Sequence, residues 1–356
     1  MQFVQFIVTF SLKITKEEFA MVQLLKVHGS QNKFFILDQT TLEHQLTDPE
    51  LVALTKQITD PEKGLLHGAD GLLVVNHSNH PGVTAQMRVI NADGSEASMC
   101  GNGIRTVARY VAEKEHQNEF KIETMKADLK VAKHQPFADG VPAYAAEISP
   151  VSFDKKALPF DNLGGERIVD EYVPELAPGL KFTSIAVPNP HLIAFMDKET
   201  ITGPLLGELG SYLNSDNPYY SDGVNVNFAT ILGKNKLFVR TFERGVGYTN
   251  ACGTGMSATS LAFALTHPDM ADLNTPITVY NPGGMVQTIV HFDNHQYWIE
   301  LIGNATVTHK IDVDEQALHD ADVSAQNATI TKTEEQSAYE QMVNSLPKTV
   351  QVDVKE

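Results

Sequence analysis

The chain has 356 residues, 42% of them hydrophobic and 20% charged, a composition that folds, and its length suits two domains. Its 27 basic and 44 acidic residues leave a formal charge of −17, which speaks against a general nucleic-acid binder because polyphosphate needs a basic surface. Two cysteines, Cys100 and Cys252, are too few for a disulfide framework or a cysteine-only zinc site, so each is either an inert buried thiol or a reactive one.

Residues 1–20 read as an N-terminal extension ahead of Met21, where a cleaner strand-like run, Val22 to Val27, begins. An extra edge strand over Phe3 to Phe10 is the other reading of that segment. The opening stretch carries Gln2, Gln5, Thr9, Ser11 and Lys13, so it is too polar to span a bilayer, and it lacks the basic start of a secretory signal. The expectation is a cytoplasmic protein with no membrane partner, in a reducing compartment that keeps both thiols free.

From Val22 to about Val313 short β-type runs alternate with Gly, Pro and Asn turns. The runs include Phe34–Leu37, Gly71–Val75, Gln86–Ile90, Phe228–Leu232, Lys236–Phe242 and Tyr297–Ile302. Few segments have helical spacing, which predicts an α+β fold. The domain reading is 21–148 for the first unit, completed by strands returning at about 299–313, and 149–298 for the second. Residues 314–356 turn acidic and polar, with one helical stretch around Glu334 to Met342, and read as a surface appendage, partly disordered.

An internal repeat organises the rest. Asn91 to Cys100 and Glu243 to Cys252 each end a strand, pass a Gly-containing polar loop and reach Cys-Gly-x-Gly. An apolar helix follows each time, with Ile104, Val107, Ala108 and Val111 on one face of the first and Ala258, Leu261, Ala262 and Leu265 on one face of the second. The only two cysteines thus sit one per half, each just ahead of a helix.

Helix starts collect free N–H groups and positive dipole, which favours a thiolate and can hold a carboxylate. Two such ends facing one another would set thiols on opposite faces of one carboxylate-bearing carbon. One thiolate would remove the α-proton while the opposite thiol delivers another, inverting the centre, with amides stabilising the charge that builds on the carboxylate. A lone Cys-Gly-x-Gly more often only packs. Its duplication favours the catalytic pair, and a redox dithiol would normally show Cys-x-x-Cys in one loop.

Asn91 to Glu96 with Met99-Cys-Gly-Asn-Gly-Ile-Arg105, and Glu243-Arg-Gly with Ala251-Cys-Gly-Thr-Gly255, resemble the diaminopimelate epimerases. His28 to Phe34, Gly68-Ala-Asp-Gly71, Asn189-Pro-His191, Val224-Asn-Val226 and Pro282-Gly-Gly284 match in family order, so the similarity spans about Val22 to Val313. The resemblance implies two similar α+β domains related by a pseudo-two-fold, each a barrel-like sheet around a central helix. It implies pyridoxal-independent interconversion of LL- and meso-2,6-diaminopimelate in lysine and peptidoglycan precursor synthesis; no metal is expected, since His67, His77 and His80 have no fixed helical spacing and no nearby cysteine.

Carried over by position, Cys100 is the proton donor and Cys252 the acceptor from LL to meso, and the roles exchange in reverse. Gly101, Asn102, Gly253 and Thr254 would offer amides to the reacting carboxylate. Asn32, Asn91, Asn189, Asn225, Glu243 and Arg244 would hold the rest of the substrate, and His191 and Glu243 would act beside the thiols. Each also has a plainer reading. Asn91, Asn189 and Asn225 sit near turns, where asparagine bonds its own backbone. Arg244 beside Glu243 is more often an exposed weak ion pair, and His191 a satisfied core histidine. Gln31 and Lys33 stand where the family usually has glycine and aspartate, which puts the turn before Asn32 in question. The rival of the same fold is a proline racemase or hydroxyproline epimerase, whose first motif usually reads Cys-Gly-His-Gly where this chain has Asn102. A non-catalytic amino-acid-binding protein would need neither thiol. A homodimer remains open.

Overall fold

A computed structural model describes residues 20–347. The readings of residues 1–19 and 348–356 lie outside it. The first half runs β1 (Met21–Gly29), β2 (Asn32–Asp38), α1 (Asp48–Thr59), β3 (Gly71–Asn76), β4 (Ala85–Asn91), β5 (Glu96–Ala97), α2 (Gly101–Glu115), β6 (Glu119–Glu123), β7 (Asp128–Ala138) and β8 (Val141–Ile148). The second runs β9 (Glu171–Tyr172), β10 (Lys181–Ala186), β11 (Pro190–Phe195), α3 (Lys198–Ile201), α4 (Leu205–Leu213), β12 (Asn225–Gly233), β13 (Lys236–Glu243), β14 (Gly247–Thr249), α5 (Gly253–Thr266), β15 (Ile277–Asn281), β16 (Gly284–Asp293) and β17 (Gln296–Asn304). Then come β18 (Thr306–Asp314), α6 (Glu315–His319), β19 (Ala328–Lys332) and α7 (Glu335–Ser345).

The repeat is a repeat of topology. In the first half β1–β2 pair antiparallel, β2–β3 parallel, β3–β4 antiparallel, β4–β6 parallel, and β6–β7 and β7–β8 antiparallel. In the second half β10–β11, β11–β12, β12–β13, β13–β15, β15–β16 and β16–β17 repeat that sequence of senses. The two parallel steps in each half are crossovers, filled by α1 and α2 in the first and by α3–α4 and α5 in the second, as parallel pairing requires. The halves join where Ile299–Asn304 of β17 pairs with Ala143–Ile148 of β8. Strand β18 then returns to pair with β1 over its length.

Each half closes around its cysteine-led helix. Ile104, Val107, Ala108 and Val111 of α2 pack with Val27, Phe34, Ile36 and Leu73. Helix α5 is buried almost all round: Met256, Ala258, Leu261, Ala262 and Phe263 pack with Ile193, Val239, Val286 and Leu301. Its small polar residues stay satisfied inside because their hydroxyls bond back one turn, Ser257 to the Gly253 carbonyl at 2.9 Å and Thr259 to Gly255 at 2.7 Å.

Two expectations change. The turn before Asn32 forms without glycine: Ser30 and Gln31 take φ of 52° and 68°, the two left-handed positions of a two-residue hairpin loop. The Ser30 N–H is held by Asn304 Oδ1 at 2.8 Å, which offsets the strain. The segment after 314 is not a loose appendage where it is described. Strand β19 pairs with β18, and α7 buries Tyr339 and Met342 against Val141. Arg109 of α2 holds both Glu335 oxygens, at 2.6 and 2.7 Å. The segment reads as loose because polar anchors, rather than a run of apolar residues, fasten it.

Candidate active site

Cys100 and Cys252 are the N-cap residues of α2 and α5. Both are extended, with φ/ψ of −136°/114° and −108°/105°, and each sulfur accepts from the N–H three residues on, Gly103 or Gly255, at 3.4 Å. A sulfur therefore does at each helix start what a serine or aspartate oxygen usually does. The next amides, Gly101 and Asn102 or Gly253 and Thr254, precede the first internal helix bonds at Ile104 and Met256.

The helix starts meet at their glycines. A Cβ on Gly253 would lie 3.7 Å from the Gly101 Cα and 2.8 Å from Leu301 Cδ2. The two glycine backbones are in van der Waals reach, and a side chain on Gly253 would displace Leu301. Both cysteines are free thiols, and they line one cleft of about 630 Å³.

Asn32, Asn91, Gly101, Asn102, Asn189, Glu243, Gly253 and Thr254 share that cleft wall. Asn32 is fixed by Asp70, which accepts its Nδ2 at 2.6 Å, and its Oδ1 lies 3.6 Å from the Cys100 sulfur. Asn102 Nδ2 spans the seam, 3.3 Å from both Asn32 Oδ1 and the Ala251 carbonyl. Asn91 is held by Ser95 Oγ at 2.9 Å.

Three expected residues are not brought to the wall. His191 is fully buried and bonded to Asn227 Nδ2 at 3.0 Å and Asn189 Oδ1 at 3.2 Å, so it orients Asn189. Asn225 is buried and spends its amide on the Pro190 carbonyl and the Arg244 N–H. Arg244 is exposed beside the wall and donates to the Asp222 carbonyl at 2.8 Å.

The electrostatics correct a further expectation. The helix amides do pull the thiols toward ionisation, but burial outweighs them. Burial pushes Cys100 up, against the Gly103 and Asn102 amides; Glu243 adds to the rise and Arg105 opposes it. Burial pushes Cys252 up to about 12, the nearby Glu243 carboxylate adds to the rise, and the Thr254 and Gly255 bonds oppose it. Glu243 is itself raised by burial, against a hydrogen bond with Cys252. A thiol in this site ionises only when something compensates its lost hydration. Asp70 and Arg105 stand inside motifs of the sequence without a role read there; Asp70 holds Asn32 and the Lys33 N–H, and Arg105 holds the Gly101 carbonyl and Asn102 of its own helix.

The comparisons with known proteins rest on this frame. A model of the diaminopimelate epimerase family matches residues 24–142 and 183–308. The chain belongs to the diaminopimelate epimerase family. It is 54% identical to the diaminopimelate epimerase of Ligilactobacillus salivarius over 91% of this chain and 99% of that one. The enzyme of Enterococcus faecalis is 51% identical over 91% and 98%, and that of Listeria innocua 44% over 92% and 97%. The family is one of isomerases. Among solved structures, a PhzF-family phenazine biosynthesis protein of Bacillus anthracis superposes with a TM-score of 0.56 at 14% identity, covering 83% of this chain and all but 1% of its own. A predicted epimerase of Pseudomonas aeruginosa gives 0.54 at 10% identity, over 81% and 98%. These two likenesses speak to the fold, the paired α+β halves. No helix among the described residues is long and apolar enough to cross a membrane.

Proposed function

We propose that the chain inverts one α-carbon of LL-2,6-diaminopimelate to give the meso isomer, by a two-thiol mechanism without a cofactor, in lysine and peptidoglycan precursor synthesis. The observation that carries the mechanism is the pair of cysteine N-caps whose following glycines touch across one cleft. The reacting carboxylate sits against the amides of Gly101, Asn102, Gly253 and Thr254, where two helix dipoles converge. From LL to meso, the Cys252 thiolate removes the α-proton and Cys100 delivers its proton to the opposite face. Negative charge moves onto the carboxylate oxygens, and the helix-start amides stabilise it there.

The distal amino acid end needs acceptors for its ammonium and donors for its carboxylate. Asn32, Asn91, Asn189 and Glu243 line the same cleft and are assigned to hold the rest of the substrate. Arg244, supported from beneath by Asn225, is assigned the distal carboxylate once its guanidinium leaves the Asp222 carbonyl. His191 acts through Asn189 rather than on the substrate. We place the enzyme in the cytoplasm, where reducing conditions keep both thiols free. Incubation with LL-diaminopimelate in deuterated water, without pyridoxal phosphate, should give the meso isomer with deuterium at the inverted carbon, and L-proline should stay unlabelled. No exchange into diaminopimelate by reduced protein would sink this reading, and exchange into proline would move the chain to the proline-type rival.

A further inference from the structure

Arg105 lies one turn into α2, fully buried, and among the described residues no carboxylate meets it. Its fork is only partly used. Nη1 donates to the Gly101 carbonyl at 2.8 Å, Nη2 to Asn102 Oδ1 at 3.1 Å and more weakly to Ser30 Oγ at 3.5 Å, and Nε has no partner. The guanidinium is held between two glycines. A Cβ on Gly303 would lie 2.6 Å from Nε, and one on Gly29 would lie 3.0 Å from Nη2. A buried cation without an anion is costly and persists where something uses its charge.

The repeat shows what that something is. Five residues after Cys252, where Arg105 stands relative to Cys100, the second half has Ser257. Both side chains cap the carbonyl of the residue after the cysteine, Ser257 reaching Gly253 at 2.9 Å. A neutral hydroxyl therefore suffices for the structural task, and the positive charge is extra, on one side only. On the other side the matching charge is negative: Glu243 lies against Cys252.

We propose that Arg105 is a positioning residue for the inversion, the built-in counter-charge of the Cys100 thiolate and, through Asn102 Oδ1, the group that fixes the amide bridging the two helix starts. This deepens the two-thiol reading and rests on it. The charged and titratable groups facing Cys100 are Arg105, Glu243 and Cys252, with Asp70 farther along the cleft wall. Those facing Arg105 are Cys100, Tyr339 and His28. Burial lowers Arg105 to about 10, so it stays charged at neutral pH. Arg105 therefore favours the Cys100 thiolate in the direction where Cys100 is the base, from meso to LL, while Glu243 opposes ionisation of Cys252.

The test reads each thiol alone. In the Cys252→Ala protein, the rate of Cys100 alkylation by iodoacetamide is followed against pH by mass spectrometry, with Arg105 intact and as R105K and R105Q. The midpoint should rise by about one unit or more in R105Q, slowing alkylation at neutral pH about ten-fold, with R105K in between. An unchanged midpoint in R105Q that keeps its near-ultraviolet circular dichroism overturns the proposal. A second comparison leaves Arg105 in place, so it decides the matter even if R105Q does not fold. With Glu243→Gln in both proteins, Cys100 in the Cys252→Ala background should ionise at least about one unit below Cys252 in the Cys100→Ala background. Equal midpoints or the reverse order overturn the proposal. Neither measurement needs turnover, so a failure of deuterium exchange condemns the epimerase reading and leaves this one to its own data.

Discussion

Replacing Tyr339 tests whether the C-terminal helix is part of the working fold. Its side chain is fully buried, packs edge-on against the His28 ring at 4.7 Å, and donates its hydroxyl to the Gly283 carbonyl. Gly283 in turn donates its N–H to the Asn250 carbonyl at 2.9 Å, two residues ahead of Cys252. Tyr339 thus ties β1 of the first half to the loop that presents the second thiol. Truncation to alanine removes a buried aromatic ring and leaves a cavity, a loss of about 3–5 kcal/mol. Tyr339→Phe keeps the ring and removes the hydroxyl donor, at a cost of about 1–2 kcal/mol. Urea unfolding followed by circular dichroism should rank the proteins unmodified, then Phe, then Ala, and the Phe variant should lose turnover through the Asn250 loop. A loss under about 1 kcal/mol for Tyr339→Ala would refute the reasoning, because a ring in that environment has no inexpensive way to leave.

Acid should destabilise the fold through two neutral histidines. Burial pushes His191 down to about 3 and His28 to about 4, from an ordinary value of 6.5. Unfolding exposes both to protonation, so their contribution is complete above about pH 6.5 and is lost as the pH falls toward 4 for His28 and toward 3 for His191. The urea midpoint should fall steadily over that window and the fall should be shallower in His191→Gln; a midpoint independent of pH would contradict the assignment. Gly303→Ala places a methyl 2.6 Å from Arg105 Nε and should move the guanidinium off the Gly101 carbonyl. It should raise the ionisation midpoint of Cys100, and an unaltered alkylation profile would show that Arg105 tolerates the displacement.

Much of this was legible in the chain because the repeat carries both fold and chemistry. Cys-Gly-x-Gly at a strand-to-helix junction, twice, announces two capped helix starts, and their glycines lie against each other. Asn225, Arg244 and His191 do not line the cleft: Asn225 bonds the Pro190 carbonyl, Arg244 the Asp222 carbonyl rather than Glu243, and His191 a buried amide. Spacing along a strand cannot tell a wall residue from its support, since alternate side chains face opposite ways. Thiol ionisation is not legible for a related reason: a helix N-terminus is visible in sequence, but the burial that opposes it depends on strands far along the chain. The docking of residues 315–347 is not legible either, because Glu335, Tyr339 and Met342 are anchored by Arg109, Gly283 and Val141, partners that no local pattern reveals.

The central claim is that two monoprotic thiols work from opposite faces of one carbon. It is tested most directly by the first few percent of turnover of LL-diaminopimelate in deuterated water, with product and recovered substrate analysed separately. The account predicts a meso product carrying solvent deuterium at the inverted carbon and recovered LL isomer still protonated. Deuterium appearing equally early in the recovered LL isomer, or a product that keeps the substrate's own proton, would mean that one base serves both faces.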